Sequence, residues 1–310
     1  MNAILKKYPV PISGLILGLA AAGNLVQSYG EIYRSIFGII SAALFVLMIV
    51  KIVKYTAGVK ESLQNPVVAS VLPTLSMAAM LLAAYLKPVS SLVAFIIWTA
   101  GLIAHILMIL WFSKKFVSSF KIKQVFPSWF IVYVGIVAAS VTAPAFKMNI
   151  AGQIIFWFGF ASYIVLLPIV LYRTIKIKEI PEPAAPTLII FAAPASLLLA
   201  GYINSFAEKN MSIVWFLTVL SIIMYIAAII MLPKLLRLKF YPSYSGFTFP
   251  LVISGIAMKL TNGFLSKSGN NVAWLKYLVK FQEAVAVAIV LYVLYRYIQF
   301  LTANEAPAQA

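Results

Sequence analysis

The sequence predicts an all-α polytopic membrane protein, with ten transmembrane helices arranged as five hairpins. Three observations carry this reading. Of 310 residues, 63% are hydrophobic and 10% charged, and mean hydropathy is +1.01, which leaves too little polar surface to coat a water-soluble fold. The apolar residues fall in runs of about 20, the length a helix needs to cross hydrocarbon. A bilayer offers the backbone no hydrogen-bond partner, so such runs read as helices rather than barrel strands.

The expected spans are 9–29, 34–57, 66–86, 89–112, 126–146, 150–173, 186–206, 210–236, 244–265 and 272–301. The first follows Lys6 and Lys7 and ends in Ala20-Ala21-Ala22-Gly23, a pattern shared with secretory cleavage sites. Pro9 and Pro11 at its start, and the pairing it completes, favour a first helix of one transmembrane domain spanning 1–310. No soluble domain fits between the spans. The longest connections, near 58–65, 114–125 and 174–185, are basic.

The net charge of +17 is laid out by topology. Lys6 and Lys7, Lys51, Lys54 and Lys60, Lys114 to Lys123, Arg173 to Lys178, Lys234 to Lys239 and Arg296 all fall on the side of the termini. The opposite connections hold few basic residues. By the positive-inside rule both termini are cytoplasmic in a multi-pass plasma-membrane protein, or in the inner membrane of a bacterium. Orientation explains the basicity, so no nucleic-acid partner is expected. Trp98, Trp111, Trp129, Trp215 and Trp274 lie near span ends, where an interfacial aromatic belt is expected.

Cys and Asp are absent, and one His and seven Glu remain. Disulfides and thiolate metal sites are excluded, and a multi-ligand metal site or carboxylate dyad has almost nothing to be built from. Neither a cofactor nor a metal is expected. Intramembrane proteolysis or group transfer would need paired acids or a Ser-Lys or Ser-His arrangement. The spans offer only Lys259 and His105, so an enzyme is not expected.

Helix-disturbing residues recur on one parity. Pro11, Gly14 and Gly18 lie in the first span, Pro73 in the third, and Pro127, Gly135 and Pro144 in the fifth. Pro194 and Gly201 lie in the seventh, and Pro250 and Gly255 in the ninth. Even spans are smoother, interrupted mainly by Gly101 and Pro168. Proline removes a backbone donor and bends a helix, and irregular backbone is tolerated at membrane depth only against protein or a water-filled space. The odd helices should therefore form an inner ring around a path and the even helices an outer, lipid-facing ring. Bent helices would turn the positive ends of their second halves toward the axis. With few fixed charges on the odd spans, selectivity should follow how easily each anion sheds water.

Among embedded ionisable residues, Lys259 and Glu283 lie at similar depth on the last hairpin. A structural ion pair leads, with snorkelling of Lys259 to the headgroups and a proton relay through Glu283 as alternatives. His105, amid Leu, Ile and Met, reads as a hydrogen-bonded packing residue. Ser13, Ser140 and Asn204 are candidate polar groups of the path wall or of helix–helix contacts.

Gly14-Leu15-Ile16-Leu17-Gly18-Leu19, Pro127-Ser128-Trp129-Phe130-Ile131-Val132-Tyr133-Val134-Gly135, Ala193-Pro194-Ala195 and Phe247-Thr248-Phe249-Pro250 resemble the tellurite-resistance/dicarboxylate transporter family. That family includes bacterial TehA and the plant slow anion channels. The resemblance covers essentially the whole chain in order. It implies a homotrimer with a pore in each subunit, passive conduction of small inorganic anions such as chloride or nitrate, and occlusion by one phenylalanine on the ninth helix. That role falls on Phe249, with Phe247 as fallback. Gly14, Gly18, Pro73, Gly135, Pro144, Pro194 and Pro250 are the expected pore-lining or kink residues. Two positions depart from the family pattern, Ile16 and Val132 standing where relatives often have proline. A carrier of dicarboxylate, sulfite or tellurite-type oxyanions with the same fold is the alternative function.

Overall fold

The computed structural model describes residues 2–303. Nine helices among them are long and apolar enough to cross a membrane: α1 (Ile12–Tyr29), α2 (Glu31–Lys54), α3 (Pro66–Leu86), α4 (Ser91–Val117), and then α6 (Asn149–Ile177), α7 (Glu182–Ser205), α8 (Met211–Leu235), α9 (Pro242–Lys267) and α10 (Leu275–Thr302). The fifth expected span, here α5, is not one continuous helix. A short α-helix, Trp129–Tyr133, passes at Val134 into the apolar helical segment Gly135–Phe146, which begins and ends as 3-10 helix. Short helices Asn2–Lys7 and Thr56–Ser62 lie on the lysine-rich face.

Local chemistry sets several boundaries. Asn65, Ser90 and Asn210 cap α3, α4 and α8 by accepting from the amides of Val67, Val93 and Ser212. The tight turn from α1 to α2 passes through Gly30 at φ 148°, and the turn after α9 through Gly269 at φ 75°, conformations that glycine alone adopts without strain.

The helices form two concentric layers. α1 packs on α3, α3 on α5, α5 on α7, α7 on α9, and α9 returns to α1, closing a ring of five. Each even helix packs against the odd helix before it and the one after it, and α10 closes the outer layer by packing on α1. Burial follows parity. In the most apolar stretch of each long helix, 67–89% of odd-helix residues are buried, against 22–33% on even helices. The even helices thus turn Ile, Val, Leu and Phe outward, as a lipid solvent requires.

Two of the five tryptophans near span ends are buried. Trp98 is buried and donates to Thr142 Oγ1 at 2.8 Å, and Trp129 is buried with its indole on Gln124 O at 3.0 Å. Each indole N–H is thereby satisfied within the protein, as a buried tryptophan requires. Trp111, Trp215 and Trp274 are exposed.

Candidate conduction path

The odd helices change character part-way along. α3 breaks at Leu72-Pro73 and resumes at Thr74. α5 switches at Gly135. α7 runs as 3-10 helix over Glu182–Ala192 before becoming α-helical at Ala193, and α9 runs as 3-10 helix over Pro242–Phe247 before Thr248. A 3-10 run as long as that in α7 is rare and marks a strained or functional hinge. α1 starts as α-helix directly after Pro11 and shows no break at Ile16. α5 breaks although Val132 is not proline. There the His105 Nε2–H donates to Val132 O at 3.1 Å, while Nδ1 lies 2.8 Å from Ser76 Oγ. His105 thereby fastens the irregular backbone of α5 to α3.

The starts of these four second halves and the first turn of α1 meet at one place. Gly14, Thr74, Gly135, Ala193 and Phe249, one residue from each odd helix, line a central cavity of about 40 Å³, room for a few water molecules. Three further spaces continue it. Ser243 also lines a vestibule of about 600 Å³ that opens among Lys6, Lys7 and Lys51. In the other direction, Leu197 and Phe249 line both the central cavity and an outer cavity of about 290 Å³. Asn24, Gln27, Ile256 and Leu260 connect that cavity to a pocket at the opposite face.

The wall is polar only in small ways. No charged side chain lines the central or outer cavity among the described residues. Three of the four hydroxyl residues of the central cavity are turned back on backbone carbonyls: Thr74 donates to Val71 O at 2.8 Å, Thr187 to Ala184 O at 2.6 Å and Ser243 to Pro183 O at 2.5 Å, while Ser245 completes the set. What remains to attract an anion is the set of helix N-termini, whose amides and dipoles favour negative charge. Below Phe249, the Ala192 carbonyl accepts from both Ser196 and Ser254. Ser196 also lies 2.6 Å from Ser221, so a hydroxyl knot ties α7, α8 and α9 at the hinge.

The expected site residues distribute unevenly. Gly14, Gly135, Pro194, Phe249 and Pro250 line the central cavity. Phe247 does not: it is fully buried, its ring 4.8 Å from that of Tyr244. Pro73 caps the second half of α3 one residue from the wall. Pro144 is exposed in the 3-10 turn that ends α5. Asn204 lines the outer cavity and donates to Val141 O at 2.9 Å. Ser13 donates to Val10 O, and the Ser140 hydroxyl is buried without a partner. Leu197, which shares the constriction with Phe249, was invisible in the sequence because it stands in a run of leucines.

Gly18 lies off the wall, between α1 and the start of α9. A Cβ there would fall 2.5 Å from Thr248 Cβ and 3.2 Å from the Phe249 amide nitrogen. Thr248 Oγ1 meanwhile donates to Gly14 O at 3.0 Å. Gly18→Ala is therefore expected to push the start of α9 away from α1 and lower stability by about 1–3 kcal/mol, read as a fall in thermal midpoint in detergent. An unchanged midpoint would mean that the two helices separate without cost.

At the far end, Lys259 Nζ donates to Glu283 Oε1 at 2.6 Å, to Leu25 O at 2.7 Å and to Ser28 Oγ at 2.7 Å. Tyr29 donates to the second carboxylate oxygen at 2.5 Å, and Lys280 approaches both Tyr29 and that oxygen. The cluster joins α1, α9 and α10, and Glu283 lines none of the four spaces just described.

Comparison with known proteins agrees with this architecture. An uncharacterized transporter of Methanocaldococcus jannaschii is 25% identical over 292 residues, covering 81% of this chain and 84% of its own. A second uncharacterized transporter from that organism is 23% identical over 289 residues, covering 80% and 82%. The model of the voltage-dependent anion channel family matches residues 8–298. That match spans nearly all of a chain whose five inner helices, four of them broken, are ringed by five outer ones, and it makes this chain a member of the voltage-dependent anion channel family.

Proposed function

We propose that the chain is a passive anion channel whose path runs through each subunit, is held shut at Phe249 and Leu197, and selects anions by their ease of dehydration. One observation supports this above the rest: Phe249 stands between two cavities that no charged side chain lines, at a point ringed by five helix starts. An aromatic ring across an apolar neck blocks water and ions sterically. The lysine-rich face is then cytoplasmic by the positive-inside rule. A homotrimer is the expected assembly, each subunit conducting independently.

Purified protein in planar bilayers tests the reading across an anion series. Unitary currents are expected, with nitrate more permeant than chloride and chloride more than fluoride, and no dependence on a pH gradient. Flux without unitary currents that requires such a gradient would instead favour a proton-coupled carrier. Against a carrier, the buried carboxylate Glu283 is engaged by Lys259 and Tyr29 away from the axis.

A further inference from the structure

The two lysines buried furthest along the helices are held in opposite ways. Lys259 spends all three ammonium protons on acceptors, one of them a carboxylate. Lys51, on α2 and only 8% exposed, has a single acceptor, Lys6 O at 2.7 Å, with the Tyr55 ring at 4.8 Å. No carboxylate lies within ion-pair distance of it among the described residues. An ammonium with one protein acceptor and no counter-charge is left to attract an anion, and this one lines the vestibule.

Its surroundings add charge of the same sign. Lys6 and Lys7 line the same space. Behind Phe126, also on its wall, the buried Arg173 guanidinium lies 5.7 Å from the Phe126 ring centre. Arg173 donates only to the carbonyls of Lys178 and Glu179, and its Nε has no partner. The nearby acids do not offset this. Among the described residues Glu179 is paired with Lys123 at 2.8 Å and Glu61 is exposed outside the lining, which leaves Glu182, 2.7 Å from the lining Tyr241, as one carboxylate against Lys6, Lys7, Lys51 and Arg173.

We propose that Lys51 is the centre of an anion-binding site in this vestibule, where a small, still hydrated inorganic anion is held before it passes Ser243 into the central cavity. The inference rests on the channel reading and adds a saturable loading site on one face. The vestibule is wide enough for a hydrated ion, and its low-dielectric walls focus the field of the uncompensated cations. Salt screens that field: the Debye length is about 30 Å at 0.01 M and about 3 Å at 1 M.

The test records Lys51→Gln and Lys51→Arg in a Phe249→Ala background, from 10 mM to 1 M sodium chloride, together with anomalous diffraction from wild-type crystals soaked in sodium bromide. At 10 mM, Lys51→Gln is expected to lower conductance by at least about twofold, more for anions loading from the lysine-rich face. The gap should close near 1 M, and Lys51→Arg should retain wild-type behaviour. Bromide should occupy the vestibule within contact of Lys51 Nζ, a readout needing neither current nor a folded variant. Equal scaling at every concentration, or a vestibule without bromide, overturns the site. Absence of any current from Phe249→Ala overturns the channel reading instead, whatever bromide does.

Discussion

Phe249→Ala is expected to raise resting anion conductance at least tenfold, the largest functional change any single substitution in this chain should produce. The central and outer cavities meet at only two shared side chains, Phe249 and Leu197. Truncating the ring merges the two spaces and removes the apolar neck at which an ion must surrender its water. A tenfold gain requires the barrier to fall by only about 1.4 kcal/mol. Phe249→Leu should fall between wild type and alanine, and Leu197→Ala should give a smaller gain because it leaves the aromatic ring in place. The truncation also costs stability, about 3 kcal/mol on the scale of buried Phe→Ala changes. Recordings therefore belong beside a size-exclusion profile of the same preparation. A monodisperse Phe249→Ala protein with wild-type conductance would remove the gate from this residue.

The second large effect is on the fold. Replacing either Lys259 or Glu283 is expected to cost about 2 kcal/mol, between the small value of surface pairs and the larger value of fully buried ones. Lys259→Met leaves a carboxylate with 6% side-chain exposure facing only Tyr29 and a more distant Lys280. Glu283→Gln leaves an ammonium whose remaining acceptors are neutral. The double variant should lose less than the sum of the two, because each single change strands the other's charge. Thermal midpoints of the four proteins measure this coupling. Additive losses would mean that the residues do not act as a pair, and a Glu283→Gln protein that folds normally but loses pH-driven flux would point to a proton relay.

Much of the architecture could be read from the sequence because it rests on two long-range regularities, span length and the parity of helix-breaking residues. Gly135 and Pro194 sit at or beside switches from one helix type to another, and those switches are what bring five helix starts to one cavity. The sequence was less informative about side-chain phase. Which leucine of Ser196-Leu197-Leu198-Leu199 faces the axis depends on how many 3-10 residues precede Ala193, and a 3-10 turn advances the side chains differently from an α turn. A run of similar residues carries no trace of that. In the fifth span Gly135 announced the break, but not what holds it: the fracture at Val134-Gly135 is stabilised by a donor from α4, His105. The depth of Lys259 and Glu283 followed from counting residues along one hairpin. Their partners Leu25, Ser28 and Tyr29 did not, since they arrive from the first hairpin, and Lys259 and Leu25 are separated by 234 residues.

That seam between first and last hairpins also governs biosynthesis. α1 finds its neighbour α9 only after four hairpins have left the ribosome, and Thr248 reaches Gly14 across the same 234 residues. Until then the Gly14 and Leu25 carbonyls and the Ser28 hydroxyl of α1 lack their final companions, and bringing such distant segments together is slow. The inner ring therefore cannot close before α9 has been made, nor the outer layer before α10 packs on α1. A chain that stops short of α9 lacks the helix that joins α7 to α1, and its inner helices form an open arc.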